Sequence, residues 1–79
     1  MKRITEQEYM RHEQERLRDF ARLIERAKRD FEISDPYIAM QTGMITRTIF
    51  RARHHMPVRS DSEARIRLFI KELYKDSEI

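Results

Sequence analysis

Four arginines (Arg47, Arg51, Arg53 and Arg59) and two histidines (His54 and His55) fall within residues 35–59, a stretch whose one acid, Asp35, stands at its start. A guanidinium presents a planar fork of N–H donors that matches a phosphate or the edge of a guanine, so clustered arginines without acids are suited to anion recognition. Arg47 and Arg51 are four residues apart, one turn if the segment is helical. Thr46 and Thr48 place hydroxyls beside them, and Ile45 and Phe50 add apolar surface. The spacing predicts one basic face with both polar and apolar contact groups.

The rest of the chain isolates this face. Residues 1–34 hold nine Lys/Arg and eight Asp/Glu, and residues 60–79 hold four and five. These flanks of mixed sign read as solvated helix surfaces, and the middle has the charge pattern expected of a phosphate-binding face. Catalysis finds no support. The sequence has no Cys, no G-x-S-x-G, no P-loop and no H-E-x-x-H, and its carboxylates alternate with Arg and Lys as on helix surfaces. His54 and His55 lack further ligands at a recognised metal spacing, and His12 reads as a surface residue. No metal, cofactor or small-molecule substrate is expected.

The elements that hold the face must be helical. The chain has 79 residues, 39% apolar and 39% charged, with one glycine and two prolines. That length supports one domain with a small core, and the dominant residue types favour helix. No apolar run is long enough to span a membrane, and Met1-Lys2-Arg3-Ile4 leads into charged sequence rather than a signal peptide. A soluble, cytoplasmic chain is the expectation.

Thr5-Glu6-Gln7-Glu8 reads as a capping box opening a long first helix. Met10, Leu17, Ile24 and Phe31 recur every seven residues along it, as a core stripe or, in its N-terminal part, a dimer seam. Residues 1–16 are mostly polar and form an arm for a second copy or another partner; residues 17–79 form the folded unit. Asp35 suits an N-cap with Pro36 at the first helical position. A short helix follows to Thr42, Gly43 turns the chain in a left-handed conformation, and a third helix covers Met44–Arg53 with Met44 or Ile45, Ile49 and Ala52 inward. Ser60-Asp61-Ser62-Glu63 reads as a second capping box. The last helix runs from about Asp61 to Asp76, with Ile66, Phe69, Ile70, Leu73 and Tyr74 as its stripe.

Two short helices joined by a glycine turn make a helix-turn-helix unit over residues 35–53. Ala39 is small where the helices cross, and Ile38, Met44 and Ile49 fill the wedge between them. Over residues 22–73 the chain resembles the lambda-repressor-like (Cro/XRE) family of helix-turn-helix DNA-binding domains. Ile33-Ser34 stands where the family often has an apolar residue and a helix-capping Ser, Ile38-Ala39-Met40-Gln41-Thr42-Gly43-Met44 is similar to its scaffold helix and turn, Thr46-Arg47-Thr48-Ile49-Phe50-Arg51 to its recognition helix, and Ser60 to Leu73 to its fourth helix. The chain departs from the pattern at Asp35, where the family often has Gln, and at Glu32, where it often has Gly. The family's fifth helix has no counterpart, and the first helix is extended.

The resemblance implies an all-α, four-helix fold that places residues 44–53 in the major groove of double-stranded DNA. It implies base contacts from Ile45, Thr46, Arg47, Phe50 and Arg51, and phosphate contacts from Tyr37, Thr48, Arg53, His54, His55 and Arg59. It further implies a transcriptional regulator of the repressor type in a bacterial or phage-infected cell, acting as a homodimer on a pseudo-palindrome. Two other readings share these residues. One is a protein-interaction adaptor working through Tyr9, Met10 and Leu17 on the same scaffold. The other is a DNA-binding accessory protein of a phage or mobile element.

Overall fold

A computed structural model describes residues 5–77, and among these the chain is all-helical: α1 (Glu6–Phe31), α2 (Asp35–Thr42), α3 (Thr46–Arg53) and α4 (Ser60–Ser77). Residues 1–4 of the expected arm and residues 78–79 lie outside the described residues.

Thr5 caps α1, its hydroxyl accepting from the Glu8 amide at 3.2 Å. With 26 residues, α1 is about 39 Å long. The radius of gyration is 14.1 Å, against about 12 Å for a compact globule of this size. The excess comes from the N-terminal half of α1, because burial on this helix begins only at Leu17. Beyond it Phe20, Ile24 and Ala27 enter one core with Ile38 and Ala39 of α2, Ile49 and Ala52 of α3, and Ile66 and Ile70 of α4. The sevenfold stripe is therefore shorter than the sequence predicts as core. Leu17 and Ile24 are buried and Phe31 is half-buried, but Met10 is exposed because no second element reaches that far along α1.

The chain turns where local chemistry permits, and the cap of α2 and the start of α3 differ from expectation. α1 ends at Glu32, in the left-handed conformation (φ 54°), with its amide bonded to the Lys28 carbonyl. Ser34, not Asp35, caps α2, its hydroxyl accepting from the Tyr37 amide at 3.3 Å. Asp35 is freed for ion pairing, and Pro36 falls at the second helical position. The turn follows the glycine reading: Gly43 has φ 72°, and the Met44 amide closes back on the Ala39 carbonyl at 2.8 Å. That bond keeps Met44 out of α3, which starts at Thr46 after an extended Ile45. Ile45 points outward, and half-buried Met44 packs on the core. α4 starts at Ser60, since the Glu63 amide bonds to the Arg59 carbonyl at 2.9 Å.

Four carboxylates join the helices. Asp35 accepts from Lys28 of α1 at 2.8 Å and from Arg53 of α3 at 2.6 and 2.9 Å, and Arg53 also reaches Glu25 at 2.7 Å. Glu63 binds Arg16 of α1 at 2.7 Å and Arg67 at 3.0 Å. Its carboxylate does not turn back to Ser60 as a capping box requires. At the far end Tyr74 donates to Asp30 at 2.6 Å and meets Phe31 edge-on.

Candidate nucleic-acid interface

α3 has only eight residues, and its two sides do different work. Ile49 and Ala52 are fully buried. Thr46, Arg47, Phe50 and Arg51 lie on the opposite surface and are exposed. Arg47 and Arg51 therefore stand one turn apart on a free helix face. Neither forms an ion pair with any described residue. Ile45 precedes them, 68% exposed, and offers no side-chain cap to the first turn. The helix start therefore presents amide donors beside the two guanidiniums.

The end of α3 is built differently. The Phe50 ring, 47% exposed, lies 4.1 Å from the His54 ring at a tilt of 35°. His54 ends the helix, and its amide is shared by the Phe50 and Arg51 carbonyls. His55 follows with φ 60°, which turns the chain toward α4. Thr48, Arg51, Arg59 and Ser62 line a shallow groove between α3 and the start of α4, together with Pro57 and Val58. Arg59 is highly exposed and only loosely paired with Asp61 at 3.4 Å.

The residues expected to act together divide into groups. Ile45, Thr46, Arg47, Phe50 and Arg51 share the outer surface of α3, and Thr48 and Arg59 extend it along the groove. His55 faces another way, into hollows lined by Arg11, Gln14 and Arg18 on one side and Arg22 and Arg29 on the other. These α1 arginines are not among the contacts expected from the sequence. Their signal was the i, i+7, i+11 spacing of Arg11, Arg18 and Arg22, which puts them on one side of a helix. Tyr37 is partly exposed at the start of α2, its ring 6.4 Å from that of Phe69.

Arg53, expected among the phosphate contacts, is held by Asp35 and Glu25, with its side chain 19% exposed. These carboxylate hydrogen bonds raise its pKa further, against the smaller opposing effect of burial. Burial pushes the Asp35 carboxyl up, but the hydrogen bonds and charges of Arg53 and Lys28 together outweigh it and hold it below the usual carboxylate range. Arg53 is thus a structural cation, and Asp35 neutralises it away from the outer face of α3. Among the described residues no three His, Asp or Glu side chains gather as a metal site, and no helix is long and apolar enough to cross a membrane.

Comparison with protein-family models, curated proteins and solved structures finds no significant match to this chain.

Proposed function

We propose that the chain is a helix-turn-helix double-stranded DNA-binding protein of the lambda-repressor-like type, with α3 entering the major groove and transcriptional regulation as its role. One observation carries this reading: Arg47 and Arg51 stand exposed and unpaired, one turn apart, on the outer face of a short helix that follows a three-residue turn. Arg16, Arg53 and Arg67, in contrast, are each tied to a carboxylate that links elements of the fold. Arginines left free in this way are available to a polyanion.

Arg47, in the first turn of α3, is positioned to bond a guanine through both arms of its guanidinium, a contact worth about 1–3 kcal/mol of discrimination. Thr46 sits beside it, and Ile45 and Phe50 offer apolar surface for thymine methyls. Arg51, one turn on, reads a further base or holds a phosphate, and Thr48 and Arg59 follow the groove toward the start of α4 and hold phosphates, with the rings of His54 and Tyr37 at the periphery. Arg53 supports the face from behind.

Fluorescence anisotropy of a random-sequence duplex between about 50 and 200 mM salt tests the reading. Six to ten phosphate contacts per complex cost about 10³–10⁵ in affinity over that range. The Arg47→Ala/Arg51→Ala double variant is expected to bind weakly, with a shallower salt slope. Absence of binding at the lowest salt, or binding indifferent to the double substitution, refutes the reading. A protein-interaction role is the alternative, favoured by the exposure of Tyr9 and Met10 on the projecting half of α1. It predicts loss of a protein partner on Met10→Glu with both arginines dispensable.

A further inference from the structure

Arg11, Arg18, Arg22 and Arg29 follow one another along α1 at intervals of seven, four and seven residues. At 3.6 residues per turn they fall within an arc of about 40°, on the side of the helix away from buried Phe20, Ile24 and Ala27. All four are exposed. Arg18 and Arg22 stand four residues apart, as do Arg22 and Arg26, a spacing at which like charges repel. The acids nearby leave this ridge largely uncompensated. Arg11 and Arg22 form no ion pair with any described residue. Asp19 and Asp30 approach Arg18 and Arg29 only to 3.7 and 3.9 Å, too far for a hydrogen bond, and Asp30 is already engaged by Tyr74. Glu15 and Glu25 line the hollows beside the ridge, but Glu25 is held by Arg53.

His55 joins this ridge to α3. It follows the residue that ends α3 and lines both hollows, beside Arg18 in one and Arg22 in the other. From Arg11 to Arg29 the guanidiniums spread over about 27 Å of helix. A small anion reaches an adjacent pair of them at most, whereas a polymer with charges repeating over that length reaches all four. One strand of a DNA duplex presents a phosphate about every 3.4 Å of axis, or about eight over this distance. We propose that the α1 ridge, with His55 at its middle, is a second nucleic-acid contact surface that binds the sugar-phosphate backbone of duplex DNA outside the major-groove contact of α3. The identity of the polyanion rests on the DNA-binding reading of α3, and the surface itself rests on α1 and contains none of the residues of the outer face of α3. Contacts to phosphate add affinity and salt dependence without sequence preference.

Fluorescence anisotropy of the full chain with a random-sequence duplex of about 25 base pairs, between about 50 and 200 mM salt, tests this. Arg11→Gln/Arg22→Gln removes the two unpaired charges and is expected to reduce the salt slope by about 1.8, so that the affinity lost over that range shrinks by about tenfold. Both positions are exposed and Gln is a good helix former, and far-UV circular dichroism checks that the variant keeps its helix. Arg11→Lys/Arg22→Lys retains the charges and should keep the slope of the parent. Lys71→Gln/Lys75→Gln makes the same change in net charge on α4, which lines neither hollow, and should leave the slope unchanged. A slope for Arg11→Gln/Arg22→Gln equal to that of the parent, or an equal reduction in the α4 variant, overturns the proposal and leaves the α3 reading intact. Binding that survives Arg47→Ala/Arg51→Ala but weakens on Arg11→Gln/Arg22→Gln overturns the α3 reading and supports the ridge. A parent that binds no duplex at the lowest salt overturns both.

Discussion

Replacing Asp35 with alanine tests the main electrostatic joint of the fold. The carboxylate is buried, with its side chain 11% exposed, and takes three hydrogen bonds from two cations on different helices. A hydrogen bond to a charged group contributes about 1.5–3 kcal/mol, and removing one partner of a fully buried pair costs about 3–5 kcal/mol. The partners here soften that figure. Lys28 and Arg53 are about one-fifth exposed, and Arg53 keeps Glu25. A loss of about 2–3 kcal/mol is expected on these grounds. In a domain whose core supplies only about 3–5 kcal/mol, Asp35→Ala should leave the chain close to its unfolding midpoint at room temperature.

Urea denaturation followed by far-UV circular dichroism measures this directly. The pH dependence gives a second signature. The Asp35 carboxyl is held below its ordinary range in the folded state, so its contribution is complete above the unfolded value of about 3.9. The contribution is lost as pH falls through the folded value. The parent should therefore lose stability below about pH 4, and Asp35→Ala should show a flatter acid limb. A change of less than about 0.5 kcal/mol, the range of ordinary surface substitutions, would mean that the three bonds do no more than a solvated surface pair.

Three further outcomes follow from backbone geometry and from the groove. Glu32→Gly should stabilise the fold by about 1 kcal/mol, because Glu32 is exposed and holds a left-handed conformation that costs a side chain about this much; an unchanged urea midpoint argues against strain there. Gly43→Ala should destabilise by about 1 kcal/mol for the same reason reversed, since a methyl group would meet only the Arg65 guanidinium at an ordinary 3.9 Å and the cost is conformational. In binding titrations, Arg47→Ala should reduce the preference for a selected duplex over a random one by about tenfold or more. Arg59→Ala should weaken both duplexes alike and reduce the salt slope by about 0.9. Equal effects of the two substitutions on both duplexes would show that the assigned roles are wrong.

The helical architecture was legible because its signals are local. Thr5 before a periodic run, the lone glycine after Thr42, and the apolar spacing of residues 17–31 each specify structure within a few residues. What was hidden depends on contacts distant in sequence. Arg53 looks like its neighbours Arg47 and Arg51, and only folding brings it to Asp35 and Glu25, 18 and 28 residues away. Glu63 looked like half of a capping box until folding placed Arg16, 47 residues away, against it. Of the candidate site, the outer surface of α3 was readable from i, i+4 spacing alone. The orientation of His55 toward α1 was not, because the residue after a helix end takes its direction from the turn that follows.

Asp35 also connects the two parts of the molecule. It is the single acid within residues 35–59, and an exposed acid there would oppose any anion approaching α3. Burial against Lys28 and Arg53 removes that opposition, since the carboxylate faces inward and its charge is matched by two cations. The same pairing withdraws Arg53 from the surface and leaves Arg47 and Arg51 as the unpaired cations of α3. An Asp35→Asn variant separates these effects. It keeps a hydrogen-bond acceptor for Arg53 but removes a negative charge close to the interface. If DNA is the ligand, this variant should be less stable yet bind a random duplex at least as tightly as the parent at low salt. Weaker binding by a fully folded Asp35→Asn protein would show that Asp35 shapes the face of α3 rather than only neutralising the charge behind it.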